Sequence, residues 1–423
     1  MDDPALIRTG PLRYATAERF GRPRPVAPDD TRPSSGQLCP QPPSRLDAVM
    51  GPPRDRPPQG EDCLNLTVTT PARDAGARPV LVWFHGGGFS SGGGILDWYD
   101  GGPLAAQGDV VVVGVNHRLG ALGYLFLDGV SEGNLGLYDQ LEALRWVRAH
   151  IAAYGGDPGN VTVFGQSAGA LSARMLMEMP EARGLFRRAI LQSPPLSIAA
   201  RSRAESQALG RIFADVLGTD PRTADTDALL AAQRETAAAH GRRSGSTLEP
   251  PFTPVAGADP VRVPGLTFDA NVRGLDVMYG WNADDMTAFP GERGEPDELT
   301  RRTYEAPLCR FGDRLKRAGA RVHAYRLDWR PSGSPFGATH CVELPLLLGG
   351  REAWRDAPML GDLPWDEVEA LGTAVRAAWI SFARTGAPGP TPEPLSCVGR
   401  SGGRDGTRGT GLSAVPGRGT TRS

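Results

Sequence analysis

The chain has 423 residues, a formal net charge of −2 at pH 7 and 40% hydrophobic side chains. That content suffices for a sizeable core, and so even a charge balance excludes a polybasic surface for nucleic acid or an anionic membrane. No run approaches about 18 uninterrupted apolar residues, and the opening "MDDPALIRTG" lacks the apolar stretch of a signal peptide, so a cytoplasmic chain without a membrane span is expected.

Residues 1–60 read as loop-rich, with Pro at many positions and "MGPPRDRPPQG" at their end. Strand-like runs follow at 62–70, 79–87 and 109–118. The last two are nearly continuous in apolar residues, as strands buried on both faces require. A helix is predicted over 136–156, closed by a Gly-Gly pair. A short strand at "NVTVFG" leads into the helical "AGALSARMLMEMP", stopped by Pro180. Later strands are predicted at 187–193, 274–280 and 321–329, with helices over 200–240, 295–318 and 366–385. Alternation of this kind predicts a mostly parallel sheet covered by helices on both faces. From about Gly386 the pattern collapses, so a domain over 1–388 and a disordered Gly/Arg-rich tail over 389–423 are expected.

Five cysteines, at 39, 63, 309, 341 and 397, are too few and too scattered for a disulfide scaffold and make no CxxC pair, so no metal or other cofactor is expected. The pattern G-x-S-x-G occurs around Ser90, Ser131, Ser167 and Ser401. Only Ser167, in "NVTVFGQSAGAL", lies between a predicted strand and a predicted helix. A sharp strand-to-helix turn pushes a serine Oγ out of the sheet, with helix N–H groups behind it. A serine nucleophile also needs a base, an acid to orient that base, and donors for an oxyanion.

Of six histidines, His85 and His117 precede the turn, His150 and His240 fall on helices, and His323 alternates within a strand. His340, in the glycine-bearing "SPFGATHCVELPLLLGG", stands in the right order and the right kind of loop for the base. Asp284 and Asp285, in the loop after a buried strand, are both candidates for the acid; the other would cap the next helix. The glycines of "HGGGF" (85–89) let backbone N–H groups approach a reacting carbonyl.

With these residues in view the chain resembles the type B carboxylesterase family, which contains carboxylesterases, para-nitrobenzyl esterases and cholinesterases. The resemblance rests on "EDCLNLTV", "VWFHGGGFSSG", "GDVVVVGVNHRLGALGY", "GNLGLYDQLEALRWV", "YGGDPGNVTVFGQSAGA", "FTPVAG", "GATHCVELPLLLG" and "AWISFARTGAP", in the family's order over roughly residues 12–388. It implies an α/β-hydrolase fold with Ser167 as nucleophile and His340 as base. Asp285 would be the acid, standing where the family usually has Glu. Gly87, Gly88 and Ala168 would supply the oxyanion hole. It also implies a Cys39–Cys63 disulfide, which a reducing cytoplasm would oppose.

This chain departs from the family in several places: Gln166 replaces the usual Glu before the nucleophile, Pro194 replaces a Gly, and the segment from Asp285 to His340 is short, implying a reduced helical cap. The expected function is hydrolysis of small to medium uncharged carboxylic esters, as small-molecule substrates, through an acyl-enzyme. The alternative is a catalytically impaired or non-catalytic binding member of the same fold; the presence of all three triad candidates speaks against the non-catalytic one. The loop 40–62 holds three arginines and no Phe, Tyr or Trp, so no preference for choline esters is expected. The sequence does not specify an oligomeric state.

Overall fold

The two most apolar runs of the chain lie side by side within a nine-stranded sheet. The computed structural model describes residues 6–27, 34–198, 200–246, 248–261 and 268–397. The strands of the sheet are β1 (Ile7–Arg13), β2 (Asn65–Thr70), β3 (Arg78–Phe84), β4 (Val111–Val115), β5 (Gly156–Gln166), β6 (Arg188–Gln192), β7 (Asp276–Asn282), β8 (Arg321–Leu327) and β9 (Leu395–Cys397). Their spatial order is β1-β2-β4-β3-β5-β6-β7-β8-β9. From β4 to β8 every pairing is parallel, and β3 meets β4 in the register Val80↔Val111 to Phe84↔Val115. The pairings at the margins are antiparallel.

Side chains of a strand alternate between the two faces, and β3 feeds two separate cores. Val80, Val82 and Phe84 join the core on one face, whereas Leu81 and Trp83 join the core on the other. The first face is covered by α1 (Leu135–His150) and α2 (Ala168–Glu178), through residues such as Leu141, Leu144, Leu171 and Met175. α3 (Arg203–Leu217) and α4 (Thr226–Ser244) lie between β6 and β7 in the chain. α3 starts in a reciprocal Ser202/Glu205 capping box and stops at the left-handed Gly218. α5 (Ala306–Arg317) precedes β8. α6 (Trp365–Thr385) covers the second face with Val375, Trp379 and Phe382. Its first turn carries Asp366 and Glu367 and its last Arg384, complementing the helix dipole.

The predicted strands and helices appear in the predicted order, with two corrections. The loop-rich opening segment also holds a strand that was not predicted, since β1 pairs with β2 as an edge strand. The expected disordered tail does not begin at 389: Leu395 is buried, and β9 pairs with β8 from Leu395↔Leu327 to Cys397↔Tyr325. The rest of that tail, 398–423, lies outside the described residues.

His85, just past β3, and His117, just past β4, stack in the core with ring centroids 4.7 Å apart. Each Nδ1–H donates to a backbone carbonyl, of Gly86 at 2.8 Å and Arg118 at 3.1 Å. Burial pushes both far down, His85 to about 3 and His117 to about 4, from an ordinary value of 6.5. Both are therefore neutral in the fold yet charged in the unfolded chain below pH 6.5, so stability falls as pH drops. Each costs about 1.4 kcal/mol per pH unit, roughly 4 kcal/mol for the pair between pH 6.5 and 5. Denaturant unfolding at pH 7 and pH 5 is expected to show a loss about 2 kcal/mol smaller in His117→Gln than in wild type. An equal loss in the two proteins would remove these histidines from the account.

Candidate active site

β5 ends at Gln166 and α2 begins at Ala168, so one residue makes the whole turn between them. Ser167 makes it at φ +55°, ψ −120°, a strained conformation for a side-chain-bearing residue. The turn is held because α2 packs onto the end of β3 without intervening side chains. A Cβ added at Gly169 would lie 1.9 Å from the carbonyl oxygen of Phe84. The Ser167 N–H donates to the carbonyl of Gln192 at 2.8 Å, and its own carbonyl accepts from Leu171 in α2 at 2.9 Å. The side chain is half-buried.

His340 and Asp285 meet away from solvent. His340 Nδ1 lies 2.7 Å from Asp285 Oδ1, and both side chains are fully buried. Asp285 Oδ2 accepts from the Ser193 hydroxyl and from the backbone N–H of Asn282, each at 2.9 Å. The rings of Phe289 and Tyr304 flank His340, with centroids 5.4 and 5.5 Å from it. Asp284 faces elsewhere: it holds Arg330 through two bonds, at 2.7 and 2.8 Å, and accepts from the N–H of Ala338 at 2.8 Å. Of the two candidate acids, the geometry joins Asp285 to the histidine and gives Asp284 the task of fixing the histidine-bearing loop.

Gln166 has a contact that its sequence context did not reveal. With Nδ1–H committed to Asp285, His340 Nε2 presents a lone pair, and the Gln166 amide N–H donates to it across 2.9 Å. No hydrogen bond between Ser167 and His340 is present among the described residues. Below the pair, Glu343 accepts from the side chains of Asn282 at 2.6 Å and Gln192 at 3.2 Å. Gln192 in turn accepts from the Trp379 indole at 3.2 Å. Burial pushes the Glu343 carboxyl up, despite the donating Asn282, and the nearby Asp285 adds to the shift. Ser193 and Asn282 escaped sequence reasoning because nothing in their spacing distinguishes them from ordinary strand-end residues, and Glu343 because nothing singles it out in the loop that carries His340.

The glycine loop lies across from the elbow. Gly87 adopts φ +104°, and a Cβ there would meet the carbonyl oxygen of Ser91 at 2.0 Å. Gly88 and Ala168 line a cavity of about 40 Å³ in front of Ser167. Gly87 lines an adjoining cavity of about 280 Å³, walled by Leu38, Met50 and Trp98 and reached by Gln166. The implied Cys39–Cys63 disulfide is absent, since both residues are free, buried thiols. Cys39 Sγ instead accepts from the N–H of Leu119 at 3.2 Å, and its contact with Cys63, together with burial, pushes the Cys63 thiol well above its ordinary range. Among the described residues there is no metal-binding cluster, and no helix is long and apolar enough to cross a membrane.

The description "Carboxylesterase family" matches residues 10–292, most of the described chain. The chain belongs to that family. It is 41% identical over 401 residues to a probable N-octanoylanthranilate hydrolase of Rhodococcus erythropolis, covering 89% of this chain and 88% of the relative. It is 34% identical to the para-nitrobenzyl esterase of Bacillus subtilis, covering 84% of this chain and 79% of the relative. A solved thermophilic para-nitrobenzyl esterase superposes with a TM-score of 0.79 at 30% identity, over 94% of this chain and 91% of that one. The α/β-hydrolase fold and carboxylic ester hydrolysis that the sequence suggested are therefore those of its family, and the protein is a serine carboxylesterase acting on small-molecule esters.

The geometry gives the adjacent aspartates different partners. Asp285→Asn would favour the wrong imidazole tautomer and withdraw the charge facing an imidazolium, lowering kcat by roughly 10³–10⁴. Asp284→Asn, which removes the charge facing Arg330 but leaves an amide oxygen to accept from Ala338, is expected to cost less than about tenfold. Steady-state rates on a p-nitrophenyl ester compare them, and a larger loss in Asp284→Asn would exchange their roles.

Proposed function

We propose that Ser167 is the nucleophile, His340 the general base and Asp285 the orienting acid of this carboxylesterase, with the N–H groups of Gly87, Gly88 and Ala168 as oxyanion donors. The single observation that carries this reading is the buried 2.7 Å His340–Asp285 pair, in the loops that share the sheet edge with the strained serine turn. His340 Nε2 takes the Oγ proton as Oγ bonds to the carbonyl carbon, and the carbonyl π electrons move to the oxygen. Collapse of the tetrahedral adduct expels the alkoxide, which takes the proton from His340 Nε2 and leaves an acyl-serine. Water then repeats the sequence, with His340 again as base, and the acid departs from Ser167.

Gln166 enters before the first step. Its N–H occupies the lone pair that must receive the serine proton, so the amide has to yield when substrate seats Oγ against His340. In the family's usual arrangement a Glu stands there, which accepts hydrogen bonds and cannot compete for that lone pair. The acyl group suits the small cavity, walled by Leu171, Ile198 and Phe289. The leaving alcohol suits the larger apolar cavity beside Gly87. A relative named for an acylated anthranilate supports aromatic leaving groups in that space.

Ser167→Ala is expected to leave the fold intact, by circular dichroism, and to reduce hydrolysis of p-nitrophenyl butyrate by several orders of magnitude. A variant with a tenth or more of wild-type turnover would contradict the assignment. A folded wild-type chain that binds such esters without turnover would support the non-catalytic reading instead.

A further inference from the structure

A further cavity, of about 140 Å³, lies at the far end of α2. That helix starts at the Ser167 turn and runs for 11 residues. At about 1.5 Å per residue the cavity therefore stands roughly 15 Å from Ser167. It lies ahead of β6 and β7, whereas the cleft lies past the ends of the parallel strands. Its floor is apolar, formed by Leu176, Met179, Phe186 and Leu275. Arg183 and Arg273 line it too, and among the described residues that line it there is no carboxylate.

A neighbour on the cavity wall positions the Arg183 guanidinium. Its Nη2–H donates to Asn271 Oδ1 at 2.5 Å, and Asn271 Nδ2 donates to the carbonyl of Glu178, at the end of α2, at 2.6 Å. A cation here could simply complement the negative end of the helix dipole. The Glu178 carbonyl, however, is met by the neutral Asn271 amide, and that of Leu176 by the Met179 N–H at 3.2 Å. Among the described residues Arg183 bonds to neither carbonyl. The bond to Asn271 uses one of the five N–H donors of a guanidinium. Both arginines are exposed, whereas Leu176, Met179 and Phe186 are buried. Cations at the rim of an apolar hollow match a ligand with an anionic head and a short apolar chain.

We propose that this cavity is a binding site for short-chain carboxylates, separate from the cleft. Arg183 anchors the carboxylate through charge-assisted hydrogen bonds, and the apolar floor takes the chain. At about 30 Å³ for each water-sized group, the hollow holds about four or five such groups, which sets the chain at about that many carbons. Pentanoate is of that size. Hydrolysis of a short-chain ester releases acids of this kind, and a free acid from any other source carries the same head and chain. The site does not depend on which serine is the nucleophile, because no residue of the cleft lines it.

Methionine methyl groups report on the two places separately. Met177 and Met179 line this cavity, whereas Met50 lines the larger cavity beside Gly87. The full chain, labelled with ¹³C at its methionine methyls, is titrated with sodium pentanoate and with pentanamide, a neutral match in shape. Met177→Leu and Met179→Leu assign the two signals. Pentanoate is expected to shift both signals saturably, with a Kd in the millimolar range or tighter and about tenfold below that of pentanamide. Arg183→Gln should weaken pentanoate about tenfold and pentanamide less than twofold, which a merely structural role for Arg183 would not do. Circular dichroism checks that this surface variant is folded. No saturable shift of Met177 and Met179, or a shift of Met50 alone, overturns the proposal. So does a pentanoate Kd within threefold of that of pentanamide, or within threefold of wild type in Arg183→Gln.

Discussion

The structure turns on the close crossing of two backbones. The first turn of α2 lies against the end of β3 with no room for a side chain at Gly169, and this contact fixes Ser167 in a conformation that a side-chain-bearing residue does not adopt unaided. Strain of that kind costs on the order of 1–3 kcal/mol and persists only where the surroundings over-determine it. Here the surroundings are the parallel run β4-β3-β5-β6-β7-β8, whose central strand β5 ends at the serine. Parallel strands send their connecting loops out at one edge, and so the glycine loop after β3, Ser193 after β6, Asp285 after β7 and His340 after β8 converge on the same cleft.

Charge is rationed within that cleft. The Asp285–His340 pair is fully buried, and each Asp285 oxygen has a partner, which lets a carboxylate survive away from water. The next carboxyl inward, Glu343, has its pKa raised by burial, with Asn282 donating to it and opposing the shift. His85 and His117 lie behind the glycine loop as neutral rings.

Much of this was legible in the chain. Continuous apolar runs identified β3 and β4, and the strand–glycine–serine–glycine–helix sequence singled out Ser167 from four matches to the same pattern. The order of serine, aspartate and histidine pointed to His340. The edge strands were missed for physical reasons. β1, "IRTGPLR", interrupts its alternation with Gly and Pro, and β9 is three residues long, so neither has a period to detect. From their spacing alone adjacent Asp284 and Asp285 could not be told apart, and only the resemblance favoured Asp285, because the choice depends on a 3₁₀ turn starting at Asp285, which swings neighbouring side chains in different directions. The implied disulfide came from resemblance alone, and the structure holds its two cysteines as thiols.

The central claim is that the turn at Ser167 presents an activated nucleophile. Incubation with a fluorophosphonate, followed by peptide mass mapping, tests it most directly, because the probe bonds covalently only to a serine whose proton is removed by a working base. The account predicts a single phosphonylated residue, Ser167, and loss of labelling in His340→Ala. Labelling at Ser90 or Ser193 in place of Ser167, or undiminished labelling without His340, would contradict it.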